Sequence, residues 1–243
     1  MKRFTKLLFA VAAMLAVSCT TDATRDLSVQ PNVHTTITIS LEESRTQLGE
    51  KVDGLYPITW SEGDAIAVNG TPSTALTAEQ SGNATASFTF TGEVAYPYNV
   101  VYPAPAEGTE ASAIEGHYPV TFLASQSYNE GTFCNGAAAM YGYAESEGGI
   151  QLNHLTGVLR IAPKGEGITL KKMVLTSEFG KIAGTFDVDC TTGAITPRAE
   201  ATNAITVTFG EGLTLGATAT PIYVALPAGE YGAFTITLHT ETE

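Results

Sequence analysis

The chain has 243 residues, with 12 basic against 25 acidic side chains and a formal net charge of −13. That length suits two ordinary domains or one large β domain. So acidic a chain repels phosphate backbones and anionic lipid surfaces, which excludes nucleic acid as a partner.

Lys2, Arg3 and Lys6 give a positive start, and Leu7 to Val17 is an apolar run closed by Ser18 and Cys19. The run is about half of the roughly 20 residues that a spanning helix needs. Residues 1–18 therefore read as a secretory signal peptide, cut between Ser18 and Cys19. Leu15-Ala16-Val17-Ser18-Cys19 resembles a bacterial lipobox, with Leu15 one position early. On that reading Cys19 is the first mature residue and its sulfur carries lipid, which anchors the chain to the outer membrane. An ordinary signal in which Cys19 has no role is the other reading. Residues 19–31 are small and polar and read as a lipidated, flexible tether that contains the exposed basic residue Arg25.

From Val33 to Leu41 the sequence alternates, with Val33, Thr35, Ile37, Ile39 and Leu41 on one face, as a half-buried strand requires. Glu42-Glu43-Ser44-Arg45 is a charged turn. Two short strands, around Ile58–Trp60 and Ile66–Val68, flank the turn Ser61-Glu62-Gly63-Asp64. Trp60, the single tryptophan, reads as a buried corner anchor or as a ligand-stacking platform. Strands follow at Ala84–Phe90, Tyr96–Tyr102 and Tyr118–Phe122, and a polar loop at Ser125–Phe133. A short strand or packed turn covers Ala137–Ala144, and Glu145–Gly149 has linker composition. Further strands are expected at Ile150–Ile161, Ile168–Ser177, Ile182–Val188, Ala204–Phe209, Pro221–Leu226 and Ala233–Leu238, with a tight turn at Asp189–Gly193. Nothing after the signal has helical periodicity. The expected fold is all-β: two antiparallel β-sandwich domains, residues 32–147 and 148–243, divided near Glu147.

Few residues suggest chemistry. His34, His117, His154 and His239 are scattered, and no hydrolase, phosphate-binding, zinc or dinucleotide motif occurs. No catalytic residue, metal ligand or cofactor is assigned, and the chain does not read as an enzyme. Asp187 to Gly193 has a faint likeness to a calcium loop but lacks the closing bidentate acid, and a hairpin turn is the plainer reading. Cys134 and Cys190 are either one disulfide or two free thiols.

Several segments in order resemble the fimbrillin family of anaerobic gut and oral bacteria. They are Ser44–Leu48 (SRTQL), Trp60–Val68 (WSEGDAIAV), Val100–Ala104 (VVYPA), Ala124–Tyr128 (ASQSY), Leu152–Ile161 (LNHLTGVLRI) and Tyr223–Pro227 (YVALP). The resemblance implies transthyretin-like sandwiches and a role as subunit or accessory adhesin of cell-surface fimbriae. It implies that a trypsin-like protease cuts after a basic residue near the N-terminus, Arg45 or else Arg25. Loss of the first strand then opens a groove that a strand from another fimbrial subunit fills. A receptor on host or bacterial surfaces is a further expected partner. Family members run on beyond the last strand, so the second sandwich is expected to be incomplete, either because the chain is a fragment or because a partner supplies the missing strand. The alternative reading is a surface glycan-binding lipoprotein, which would present Tyr96, Tyr98, Tyr141 and Tyr143 on one sheet face.

Overall fold

The computed structural model describes residues 34–41 and 59–240, where the chain forms strands and turns plus one 3₁₀ turn at Ala78–Gln80. The strands are β1 (His34–Ser40), β2 (Ala67–Val68), β3 (Thr71–Pro72), β4 (Thr85–Thr91), β5 (Tyr98–Tyr102) and β6 (His117–Phe122). Then come β7 (Ser125–Ser127), β8 (Met140–Ala144), β9 (Ile150–Gln151), β10 (Asn153–His154), β11 (Thr156–Ile161) and β12 (Thr169–Ser177). The set ends with β13 (Gly184–Asp189), β14 (Ile195–Pro197), β15 (Ala204–Thr214), β16 (Ile222–Pro227) and β17 (Phe234–Thr240). The fold is all-β and its ladders are antiparallel, apart from β1–β9 and β7–β15. All of these strands belong to one compact unit that begins at Asn32.

Two sandwiches can be followed from the buried faces. A three-stranded sheet, β4-β1-β9, packs on a five-stranded sheet, β10-β8-β5-β2-β3. Ile39, Trp60, Phe88, Phe90, Val100 and Tyr102 fill the space between them. The five-stranded sheet is covered on its far face too, by β14-β13-β6, through Val101, Val120, Phe122, Phe186 and Val188. Neighbours Val100 and Val101 thus enter opposite cores. A strand covered on both sides reads as a continuous apolar run, which is what Val100, Val101 and Tyr102 show after the polar Asn99. The other sandwich sets the four-stranded sheet β17-β12-β15-β7 over the two strands β11-β16. Met173, Leu175, Ile205, Val207, Ile222 and Val224 lie between those sheets.

Pairing crosses Glu147 in both directions. β6 and β7 pair with β13 and β15, while β9 joins β1. The alternating run Ile150–Ile161 is not one strand. It divides into β9, β10 and β11, each in a different sheet. Leu152 is buried in the first core and Leu155 in the covered far face, and they mark the two changes of sheet. The expected loop at Ser125–Phe133 contains β7, because Gln126 is drawn inside. In the Ala137–Ala144 stretch the strand begins only at Met140, and Ala137 and Ala138 pack with Phe133 instead. Trp60 is outside any strand. Its backbone N–H donates to the Asn83 carbonyl at 2.9 Å, and its carbonyl accepts from Gly82 N–H at 2.8 Å. The lead-in at Ile58 lies outside the described residues.

Candidate functional site

The strand that the resemblance singles out, β1, occupies the middle of its sheet. All seven of its residues pair antiparallel with β4, from His34 opposite Thr91 to Ser40 opposite Thr85. On its other side it has only Ile39 opposite Ile150 and Ser40 opposite Gln151, in parallel. Period-two alternation assigns the faces. Ile37 and Ile39 point into the core opposite Phe88 and Ala86, and Leu41 follows them inward. Thr36, Thr38 and Ser40 point outward. Thr38 and Ser40 meet Ser87 and Thr85 hydroxyl to hydroxyl, each at 3.1 Å. Near the start, Thr35 Oγ1 donates to the Gly92 carbonyl at 2.9 Å and accepts from Val94 N–H at 3.3 Å.

A fully buried aliphatic side chain contributes about 1.5–3 kcal/mol, so Ile37, Ile39 and Leu41 together stabilise this sandwich by about 5–9 kcal/mol. Removing β1 would leave β4 with an unpaired edge and Phe88 and Phe90 without their cover, a slot shaped for one alternating strand. Beside the half of β1 that β9 does not reach lies a cleft of about 330 Å³, walled by Tyr96, Tyr98, Gly148 and Gly149. A larger cleft, of about 910 Å³, separates the β2–β3 hairpin from the segment Ala104–Pro119. Arg198 fastens that segment. Its Nη1 donates to the Glu110 carbonyl at 3.1 Å, while Nε and Nη2 hold Asp187 Oδ1 at 3.0 and 2.7 Å.

Ser18, Cys19, Arg25 and Arg45 lie outside the described residues. Trp60 is the buried anchor, 1% exposed, edge-on to Phe88 and Tyr102 at 4.9 and 5.4 Å between centroids. The four tyrosines do not share a face. Tyr96 and Tyr98 stack at 3.8 Å, and Tyr98 belongs to the first core. Tyr141 pairs opposite Val101 and packs on the far side of the same sheet, with Tyr143 two residues on.

The titratable groups near these elements serve the fold. Asp64 Oδ1 accepts from the Tyr102 hydroxyl and Oδ2 from Ser61 N–H, both at 2.7 Å. Burial outweighs both bonds and pulls its carboxyl above the ordinary value. Asp189 accepts from Thr191 N–H at 2.8 Å and from the Thr192 hydroxyl at 2.7 Å, which holds its carboxyl below the ordinary range. Both of its oxygens are used inside the Asp189–Gly193 turn, so this is the hairpin and not a calcium loop. Among the described residues no three His, Cys, Asp or Glu gather as a metal site. Cys134 and Cys190 are free thiols in separate clusters. Sequence reasoning missed Gln126, whose side chain binds the backbone of β16 from the other sheet. Its only signal was a glutamine amid small polar residues.

No protein-family model matches the chain. No curated protein matches it either. Among solved structures it is similar to a protein from Bacteroides ovatus ATCC 8483 described provisionally as a cell adhesion protein. The two share 13% sequence identity with a TM-score of 0.45, and the match covers 86% of each chain.

Proposed function

We propose that the protein is a structural subunit or accessory adhesin of cell-surface fimbriae. It is exported as a lipoprotein through Cys19 and joined to its neighbours by strand exchange. The observation that supports this reading is the position of β1. A strand at the centre of a sheet, whose inward side chains complete a core, leaves a deep slot when it goes. Arg45 follows it closely in sequence, so a single cut there separates β1 from the rest of the chain. A donated strand then regains a full ladder and a core at once, which is why β-augmentation binds tightly. The protein works through the surfaces it presents and turns over no substrate. Its buried acids fit that role, since Asp64 caps a turn and Asp187 anchors Arg198.

The test compares a chain that begins at Thr46 with one that keeps Val33 to Arg45. Each is incubated with other fimbrial subunits and run on denaturing gels. The shorter chain should form ladders and the longer one should stay monomeric. A synthetic peptide of residues 33–41 (VHTTITISL) should refill the slot and suppress the ladder. If both chains stay monomeric with every subunit tried, exchange through the β1 slot is wrong.

A further inference from the structure

The chain contains two Asn-Gly dipeptides, Asn69-Gly70 and Asn135-Gly136. In such a pair the backbone nitrogen of glycine, with no side chain beside it, can reach the amide carbon of asparagine. That nitrogen loses its proton to solvent base and attacks Cγ. The N–Cγ bond forms, the Cγ–Nδ2 bond breaks, and Nδ2 leaves as ammonia. Water then opens the cyclic imide at either carbonyl and yields aspartate or isoaspartate. The only co-reactant is solvent water, so the surroundings of each amide decide its rate.

The two pairs share this chemistry and sit in opposite surroundings. Asn69 is at the tip of the β2–β3 hairpin. Its Nδ2 donates to the Ala95 carbonyl at 2.8 Å and to the Pro97 carbonyl at 2.9 Å. Its Oδ1 accepts from the backbone N–H and from Nδ2 of Asn99, at 2.9 and 3.0 Å. Its own N–H donates to the Asn99 carbonyl at 2.9 Å. Turning Cγ toward the Gly70 nitrogen therefore breaks four side-chain hydrogen bonds at once and detaches the hairpin tip from β5. Asn135 is exposed, in a turn closed by the Ala137 N–H on the Cys134 carbonyl at 3.1 Å. The one hydrogen bond its side chain makes among the described residues runs from Asn129 Nδ2 to Oδ1 at 3.4 Å. That distance is beyond the usual range for an N–H donor on oxygen. Nδ2, the leaving group, faces water.

We infer that Asn135 is a site of spontaneous deamidation in the folded chain, and that Asn69 deamidates only when the β2–β3 hairpin opens. The inference is independent of how the chain assembles. Conversion at Asn135 sets a new negative charge beside Cys134 and, as isoaspartate, adds a backbone carbon to the turn. The turn leads into Ala137 and Ala138, which pack with Phe133 and Ala225, so the change reaches that cluster. Conversion at Asn69 would put a carboxylate oxygen against the Ala95 and Pro97 carbonyls, so a hairpin that had opened would not close as before.

The experiment incubates the full chain at pH 8, folded and in urea, and digests samples at intervals. Mass spectrometry follows amide-to-acid conversion at each asparagine, and chromatography separates aspartate from isoaspartate. The urea sample supplies the intrinsic rate of each pair. Folded Asn135 should convert within about threefold of its urea rate, and folded Asn69 at least about tenfold more slowly than its own, because it waits on local opening. Asn99→Ala removes one donor to Asn69 Oδ1. It should quicken folded Asn69 about threefold or more, still below the urea rate, and leave Asn135 unchanged. An Asn135 slowed further by folding, or an Asn69 protected by less than about tenfold, would overturn the inference. An Asn69 rate that Asn99→Ala does not move would show that these hydrogen bonds are not what protects it.

Discussion

Gln126 offers a direct test of how the second sandwich is closed. Its side chain is 1% exposed and makes three hydrogen bonds, to the Ala225 carbonyl and N–H and, at 3.3 Å, to the Leu123 carbonyl. Gln126→Ala strips both polar groups of Ala225 of their partner at a residue that is itself 2% exposed. Leaving a buried backbone group unsatisfied costs about 1–3 kcal/mol. Two such groups, with some relief from entering water, put the loss at about 3 kcal/mol. Exchange of the Ala225 amide should then quicken roughly a hundredfold, at 1.4 kcal/mol per decade. That local readout is the right one, because the single tryptophan sits in the other core and its fluorescence would follow the wrong sandwich. Gln126→Glu adds a check on sign. The ionised carboxylate keeps an acceptor for Ala225 N–H but sets a charged oxygen against the Ala225 carbonyl, whereas the protonated acid restores a donor. The folded state would therefore raise the pKa of the introduced carboxyl, so this variant should gain stability relative to wild type as pH falls through that raised value. A loss below about 1 kcal/mol for Gln126→Ala, with Ala225 exchange unchanged, would refute the view that Gln126 takes the place of a strand partner for Ala225.

Two further predictions concern buried ionisable groups. Because burial raises the carboxyl pKa of Asp64, the folded chain holds that proton more readily than the unfolded chain does. The resulting stability is full below the ordinary value of 3.8 and is lost as pH rises through the folded value. The difference in urea midpoint between wild type and Asp64→Asn should therefore shift in favour of wild type as pH is lowered, and a pH-independent difference would sink the assignment. The Cys190 thiol is fully buried and pushed up to about 12, first by desolvation and then by Asp189. In a Cys19→Ser chain, iodoacetamide at pH 8 should label Cys134 within minutes and reach Cys190 only after unfolding. Labelling of both thiols at equal rates in the folded chain would show that Cys190 is accessible.

The all-β character was legible because alternation and β-branching recur along the chain, and β1, β4, β5, β12, β13, β16 and β17 overlap strands expected from pattern alone. Strands with one wet face announce themselves by period two, as β1 does with Thr36, Ile37, Thr38 and Ile39. The short strands were harder to see. β2 and β3 are two residues each and are joined by Asn69-Gly70, with φ of +51° and +80°. That dipeptide is a strong hairpin signal, but the turn expected in this region was Ser61–Asp64, and the Asn69-Gly70 hairpin went unread. β7 was hidden because what holds it is the Gln126 side chain and a parallel pairing with Thr206–Thr208, both supplied by residues far along the chain. No local pattern can encode a partner that distant.

The segment Ile150–Ile161 marks where pattern stops being informative. Its alternation correctly states that the backbone is extended and that one face is dry, and says nothing about which sheet supplies the ladder. Ile150 pairs with Ile39, Asn153 with Tyr141, and Gly157 with Leu226, so one extended run serves three sheets in turn. The same stretch holds the second flank of β1 at one end and β11, a strand of the second sandwich, at the other. If β1 leaves its slot, β9 loses its strand partner among the described residues, and the next fixed points are Leu152 in the first core and Leu155 beyond it. Leu155 is tied at both backbone groups, its N–H to the Ala139 carbonyl at 2.9 Å and its carbonyl to Ala228 N–H at 2.7 Å. Those bonds confine the loosening to residues before 155 and leave the β11 edge in register.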